Sequence, residues 1–353
     1  MQYLENEFRK RGVFVVLGGW HPSALPEEAK QHADSVVIGE AEETWPQLLK
    51  DLENKKTKPF YIPTRPVDPK LIPFPFNVYP DGPILGVQAT RGCPFGCEFC
   101  AITNMRFRNV FRMRAVEDVV EEIKTLPGKT FNFHDNSLTI NPTYTKQLLR
   151  EMKGLDKKFY AFGNINVLGS DEELLKLASE AGCVGWLIGF ESMSQESLDI
   201  VGKKTNVVQT YLDSVSKIHD YGMIILGSFV FGFDGDKKEV FDLTDDFVRK
   251  SEIDVPDAMI LTPYPGTPLY DKLEREGRIL TKNWSKYNFE HVVFKPKHMT
   301  PDELLENTKG LYRKWHGTPH FMKRVIKSFW LGGRAALETT MQNLYMKLLR
   351  YQE

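Results

Sequence analysis

Two hydrophobic rhythms alternate along this chain. Short apolar runs bounded by turn residues read as strands, and stretches with apolar residues three and four apart read as helices. Between residues 84 and 290 the runs Ile84–Thr90, Thr130–His134, Phe159–Ile165, Val184–Phe190, Met223–Phe231 and Ala258–Leu261 predict strands. Helices are predicted between them. Ala115–Leu126 carries Val116, Val119, Val120 and Ile123 at helical spacing, and Asn141-Pro142 supplies a cap followed by a first-turn proline. Ser170-Asp171-Glu172-Glu173 reads as a capping box for a helix through Glu180, and Lys237–Lys250 and Pro268–Glu276 complete the set. Strand–helix alternation of this kind predicts a parallel sheet, and six units predict an open parallel (β/α)6 partial TIM barrel.

The flanks follow other patterns. Residues 1–55 predict a helix (Gln2–Gly12), an apolar strand (Val13–Gly19), a loop, a second strand (Ala33–Glu40) and a helix (Glu42–Leu52). Continuously apolar strands belong in a buried parallel sheet, and two strands cannot make one, so this partial Rossmann-like module is expected to lack partners. Residues 56–83 read as an extended linker: Pro59, Pro63, Pro66, Pro69, Pro73, Pro75, Pro80 and Pro83 are eight of the 21 prolines. Residues 291–353 predict a helical extension that opens with the capping box Thr300-Pro301-Asp302-Glu303 and runs through Trp315. Beyond His320 it is basic (Lys323, Arg324, Lys327, Arg334, Lys347, Arg350 against Glu338 and Glu353), with Phe321, Val325, Phe329, Trp330 and Leu331 as an apolar stripe. The favoured reading is a helix closing the open side of the barrel; the other is peripheral contact with a membrane surface.

Composition narrows the class. With 353 residues, 12% aromatic, the chain can bury a real core. A net charge of -1 gives no electrostatic reason to expect nucleic acid. The longest apolar stretch, Gly222–Phe233, is too short to span a bilayer, and four cysteines are too few for a disulfide scaffold, so a cytoplasmic, reducing setting is expected.

Three of those cysteines stand together in Arg91-Gly92-Cys93-Pro94-Phe95-Gly96-Cys97-Glu98-Phe99-Cys100, a C-x3-C-x2-C spacing. Structural zinc and ferredoxin-type clusters need four ligands, and no second pair exists here. Three thiolates suit a 4Fe–4S cube whose fourth iron is left open for chemistry. Proline and glycine between the cysteines mark an exposed turn, whereas the distant Cys183 reads as a small buried residue.

The spacing, with Phe99 before the last cysteine, resembles the radical S-adenosylmethionine enzymes. The resemblance implies Cys93, Cys97 and Cys100 as cluster ligands, S-adenosylmethionine on the open iron, an external electron donor such as flavodoxin or ferredoxin, and radical attack on a substrate hydrogen. It also implies cofactor contacts at Phe99, at Asp135 and Asn136 after the second strand, at Glu191 and Ser192 after the fourth, and at the fifth-strand segment around Phe229. Asp135 and Asn136 have an equally good reading as turn residues, and the fifth-strand glycines one as packing. Val16-Leu17-Gly18-Gly19-Trp20-His21-Pro22 and Gly39-Glu40-Ala41-Glu42 resemble the last part of a cobalamin-binding domain, with Gly18 and Gly19 beside the cofactor's nucleotide tail. The earlier strands and D-x-H-x-x-G loop of such domains have no counterpart, so the expectation is a shortened chain, or else a module reduced to a cap. The tail resembles an extension found in cobalamin-linked enzymes, some of which methylate isoprenoid lipids. Together these imply methyl transfer to an unactivated carbon of a small or lipid-like substrate. The alternatives are radical cyclisation or rearrangement, and a non-catalytic cluster protein that passes electrons or holds partners.

Overall fold

The computed structural model describes residues 2–72, 85–329 and 333–349. Helix α1 (Gln2–Lys10) precedes strand β1 (Val16–Leu17). The expected loop after the glycine pair is instead α2 (Trp20–Ala24) and α3 (Pro26–His32), the latter started by proline in its first turn. Strand β2 (Ser35–Val37), α4 (Thr44–Glu53) and β3 (Phe60–Tyr61) follow. The order β1-β2-β3 is a three-stranded parallel sheet, so the N-terminal pair does have a partner. That strand comes from the stretch expected to be linker, where Tyr61 packs with Val37 and Leu48. Alternation over only two residues, Phe60 and Tyr61, among prolines hid it. Pro73, Pro75, Pro80, Pro83 and Ile84 lie outside the described residues.

In the barrel, β4 (Leu85–Val87) runs up to a side hairpin, β5 (Thr90–Arg91) with β6 (Arg112–Met113), whose long connection holds the cysteines and α5 (Ala101–Asn104). Then α6 (Val116–Thr125), β7 (Thr130–Phe133), α7 (Pro142–Met152), β8 (Lys158–Phe162), α8 (Ile165–Ser170), α9 (Glu172–Ala181) and β9 (Cys183–Glu191) alternate. Helices α10 (Gln195–Ile200) and α11 (Tyr211–Asp220) lead to β10 (Ile224–Phe231), α12 (Glu239–Ser251), β11 (Val255–Ile260) and α13 (Pro268–Arg275). Asn141 caps α7 as expected, but the cap of α9 is Asp171, which accepts the Leu174 N–H at 3.0 Å; Ser170 ends α8.

The six barrel strands are all parallel in the order β11-β10-β9-β8-β7-β4, and no pairing joins β4 to β11 among the described residues. Phe190, Phe229 and Phe247 pack between sheet and helices, with Phe190 stacked on Phe229 at 5.3 Å. Each fully buried ring of this kind contributes about 1.5–3 kcal/mol.

The tail forms α14 (Pro301–His316), α15 (Thr318–Ser328) and α16 (Gly333–Leu349), and the capping box at Thr300 is present in both directions. An exposed strand edge is a liability, and this edge is covered. Phe289 O accepts the Ile260 N–H at 2.8 Å, His316 Nε2 meets Pro256 O at 3.0 Å, and Asn343 Nδ2 donates to Asp254 O at 2.8 Å. The basic residues are partly absorbed by the same packing: Arg324 is buried against Asn343 and the Trp315 carbonyl, and Lys327 pairs with Glu252 at 2.9 Å. The described part of the expected apolar stripe is divided. Phe321 and Val325 are half-buried, whereas Met322, Ile326 and Phe329 face out. Trp330, Leu331, Arg350 and Glu353 lie outside the described residues. No described helix is long and apolar enough to cross a membrane.

Candidate active site

The C-terminal ends of the barrel strands surround a cavity of about 510 Å³. Cys93, Cys97 and Cys100 border it, all as free thiols. Their backbone is held by neighbours. Thr103 Oγ1 donates to Cys93 O at 2.8 Å, and Asn104 Nδ2 donates to Cys97 O and Cys100 O at 3.0 and 2.8 Å. Cys93 N–H in turn donates to Arg108 O at 2.8 Å, and Gly92, at φ 90°, lets the two segments meet; a Cβ there would lie 2.2 Å from Val110 O. Among the described residues no group of three or more His, Cys, Asp or Glu side chains converges on a single-ion site. A three-thiol donor set spread along one loop fits a multi-iron cluster with an open position better than one ion.

Glu191 ends β9 with φ 65°, a left-handed conformation that is uncommon away from glycine and is found at sites where geometry is imposed. Its carboxylate folds back over Gly189, where a Cβ would lie 2.3 Å from Oε1. Lys203 Nζ donates to that carboxylate at 2.9 Å, and both groups border the cavity beside the thiols. Burial opposes the charge on Lys203, yet Glu191 and the Cys97 and Cys100 thiols hold its pKa above the ordinary lysine value. Burial pushes the Cys97 thiol up to about 11, with Lys203 pulling the other way.

The other expected residues separate into two groups. Phe99 and Asn136 border the cavity, and Phe99 meets Phe233 edge-on at 5.5 Å. Asp135 does not border it. One carboxylate oxygen accepts the Ala89 N–H at 3.2 Å and the other the Thr90 N–H and hydroxyl, so Asp135 fixes the entry to the cysteine segment. Burial pushes it up to about 6 against those bonds. Ser192 points to Asp236 at 3.2 Å, and the Phe229 ring packs on the helix side, leaving Leu226, Gly227 and Ser228 to face the cavity. Asp135, Ser192 and Phe229 thus keep their side chains off the cavity, and the strand pleat turns the Phe229 ring outward. Gly18 and Gly19 follow β1, with φ 92° and open space beside Gly19. Cys183 is buried, as expected.

Pattern reading missed three contributors. Lys203 sits in the doublet Lys203-Lys204, which no motif or period marks. Asn164 borders the cavity, and its Nδ2 is buried with no hydrogen-bond partner among the described residues. Gln342, Tyr345 and Met346 of α16 supply a further wall, mostly apolar like Phe95, Ile102, Phe162 and Met259.

A family model described as the radical SAM superfamily matches residues 87–248. The bacteriochlorophyllide d C-12(1)-methyltransferase of Chlorobaculum tepidum is 33% identical over 331 residues, 90% of this chain and 72% of that one. The anaerobic magnesium-protoporphyrin IX monomethyl ester cyclase of Cereibacter sphaeroides is 28% identical over 357 residues, 90% of this chain and 56% of that protein. Among solved structures, the radical S-adenosylmethionine methyltransferase TsrM from Kitasatospora setae, with tryptophan and an S-adenosylmethionine analogue bound, overlays with a TM-score of 0.67 at 16% identity, over 94% of this chain and 73% of that one.

Proposed function

The chain belongs to the radical SAM superfamily, and from that premise we propose that it is a cobalamin-type methyltransferase acting on an unactivated carbon of a largely apolar substrate. One observation carries the reading: three free thiols, the Lys203–Glu191 pair and a predominantly apolar wall share a single cavity at the sheet's C-terminal end. When bound, a 4Fe–4S cluster and S-adenosylmethionine supply one-electron cleavage of the sulfonium and the radical that takes a substrate hydrogen.

The chain's residues divide the remaining work. Cys93, Cys97 and Cys100 hold the cluster, and Phe99 shields its edge. Asn136, Asn164, Glu191 and Lys203 offer donors and acceptors for the amino acid and ribose ends of S-adenosylmethionine. The Lys203 cation also offsets negative charge gathered at the thiolates. Asp135, Ser192 and Phe229 act from behind, by fixing the backbone that lines the cavity. Apolar walls exclude water from a reactive centre. Gly18 and Gly19 offer bare backbone to cobalamin at the end of β1, which faces the barrel: Trp20 lies under Arg108, and Glu28 accepts from Trp284 Nε1 at 3.0 Å. Under this reading residues 1–55, extended to the strand at Phe60–Tyr61, form the cobalamin-side module, 56–83 otherwise link it, 84–290 form the barrel and 291–353 the extension. A flavodoxin or ferredoxin supplies the electron.

Anaerobic reconstitution with iron, sulfide, dithionite and S-adenosylmethionine tests this. The expected product is 5′-deoxyadenosine, with S-adenosylhomocysteine appearing as well once cobalamin is added; Cys97→Ala abolishes both. An intact cluster that yields no 5′-deoxyadenosine points to an electron carrier instead. The cyclase relative favours a second reading, radical ring closure, in which 5′-deoxyadenosine forms without S-adenosylhomocysteine.

A further inference from the structure

The N-terminal module reaches the cysteine segment through one buried carboxylate. Glu40 lies just beyond β2, and its side chain is fully shielded from solvent. Arg112 holds it with two nitrogens, each at 2.7 Å, and Val67 N–H donates at 3.0 Å. Arg91 Nη1 lies 3.7 Å away and Arg108 Nε 3.6 Å. The only other carboxylate ion-paired to these arginines among the described residues is Glu42, on Arg91. Three guanidiniums therefore meet two carboxylates in a largely buried place.

The position of the arginines matters more than their number. Arg91 and Arg112 face each other across the β5–β6 ladder, at the two ends of the excursion that carries Cys93, Cys97 and Cys100. Arg108 lies on the returning arm, and its carbonyl accepts the Cys93 N–H. Without a counter-ion these like charges repel and part the arms. A carboxylate that accepts a bidentate guanidinium and a backbone N–H is, by contrast, a rigid joint. Burial works against its charge, yet Arg112, Val67 N–H and Arg108 hold Glu40 below the usual carboxylate range.

We propose that Glu40 is a positioning residue for the cluster, a clamp by which the N-terminal module holds the two arms of the cysteine segment together. The module thus serves the barrel whether or not cobalamin is bound. The inference rests on the reading that the three cysteines ligate the cluster.

The test uses the full chain in four forms besides wild type: Glu40→Gln, Glu40→Asp, Arg112→Lys and Cys97→Ala. Two quantities are measured, iron and sulfide per chain after anaerobic reconstitution, and the rate at which iodoacetamide labels each cysteine of the apo-protein, resolved by peptide mass spectrometry. Cys183, in the barrel core, reports global opening. Glu40→Gln is expected to raise labelling at Cys93 and Cys100 by about tenfold, through more frequent local opening, and to at least halve cluster content, while Cys183 stays protected. Arg112→Lys, which keeps the charge but loses the fork, should fall between, and Glu40→Asp should recover much of the loading. If Glu40→Gln loads and labels like wild type while Cys97→Ala loses iron, the clamp is wrong and the cluster assignment stands. If Cys183 labels in step with the loop, or Glu40→Asp and Arg112→Lys fare no better than Glu40→Gln under global opening, Glu40 is a general fold residue and the proposal falls. If Cys97→Ala retains iron like wild type, the cluster reading itself fails.

Discussion

Removing the Lys203 ammonium should expose the cost of the Glu191 carboxylate. The two groups are 2.9 Å apart with side chains 18% and 11% exposed, Lys203 first. At an effective dielectric of about 20, their attraction is about 6 kcal/mol, most of it cancelled by the desolvation of both ions. The intact pair is therefore near neutral for stability, but half of it is not. Lys203→Met leaves the Glu191 carboxylate shielded, without its ammonium partner and still folded back over Gly189, with the thiols as its neighbours. A loss of about 3–5 kcal/mol is expected for such a broken pair. The double variant Lys203→Met, Glu191→Gln removes both charges and should regain all but about 1–2 kcal/mol. Urea unfolding of the apo-protein, followed by far-UV circular dichroism, reads the difference as a shift in midpoint at unchanged slope. A Lys203→Met midpoint matching wild type, or a double variant no better than the single, would refute the pairing argument.

Other outcomes follow from the same contacts. Asp234 is bound by Lys272 and Arg278, each at 2.7 Å, and although burial opposes it they hold its pKa down to about 2. Because that lies below its unfolded value, its contribution, about 2 kcal/mol, is complete above roughly pH 4 and is lost as pH falls through the folded value. The stability gap between wild type and Asp234→Asn in urea titrations should therefore narrow to about half at pH 3. Gly189→Ala places a methyl where Glu191 Oε1 now lies, so S-adenosylmethionine affinity by calorimetry should fall although the backbone angle tolerates alanine. Phe229→Ala removes a fully buried ring and should cost about 3–5 kcal/mol in urea without changing iodoacetamide labelling of the cysteine segment.

The barrel was legible in the sequence because burial on both faces of a parallel sheet forces apolar runs at each strand, and turn residues mark where they stop. Cys183–Glu191 and Ile224–Phe231 lie within a residue or two of their predicted spans. What escaped was local signal too short to have a period. Phe60–Tyr61 is a strand only because β2 waits beside it, and α8 and α10 span only six residues each. Side-chain direction at strand ends was likewise hidden. Asp135 and Asn136 are adjacent, yet one turns to the Ala89 and Thr90 amides and the other to the cavity. Adjacent residues on extended chain point opposite ways, so a motif places a pair at a site but cannot say which member faces it.

An open barrel creates two difficulties at once, and the tail answers both. A six-stranded sheet leaves β11 with unpaired polar groups, and leaves the cavity short of wall on that side. Asn343 of α16 satisfies Asp254 O on the edge and also accepts from the buried Arg324, while Gln342, Tyr345 and Met346 from the same helix line the cavity. Edge coverage and substrate wall are thus two faces of one helix, spaced by its own turn. Part of the tail's basic composition is spent inside the molecule. Arg324 is buried inside the joint, where burial lowers its pKa to about 10 and the Trp315 carbonyl and Asn343 supply its acceptors. A substitution that loosens this joint should therefore change substrate selection and stability together. One confined to the outward residues Met322, Ile326 and Phe329 should leave both as they are.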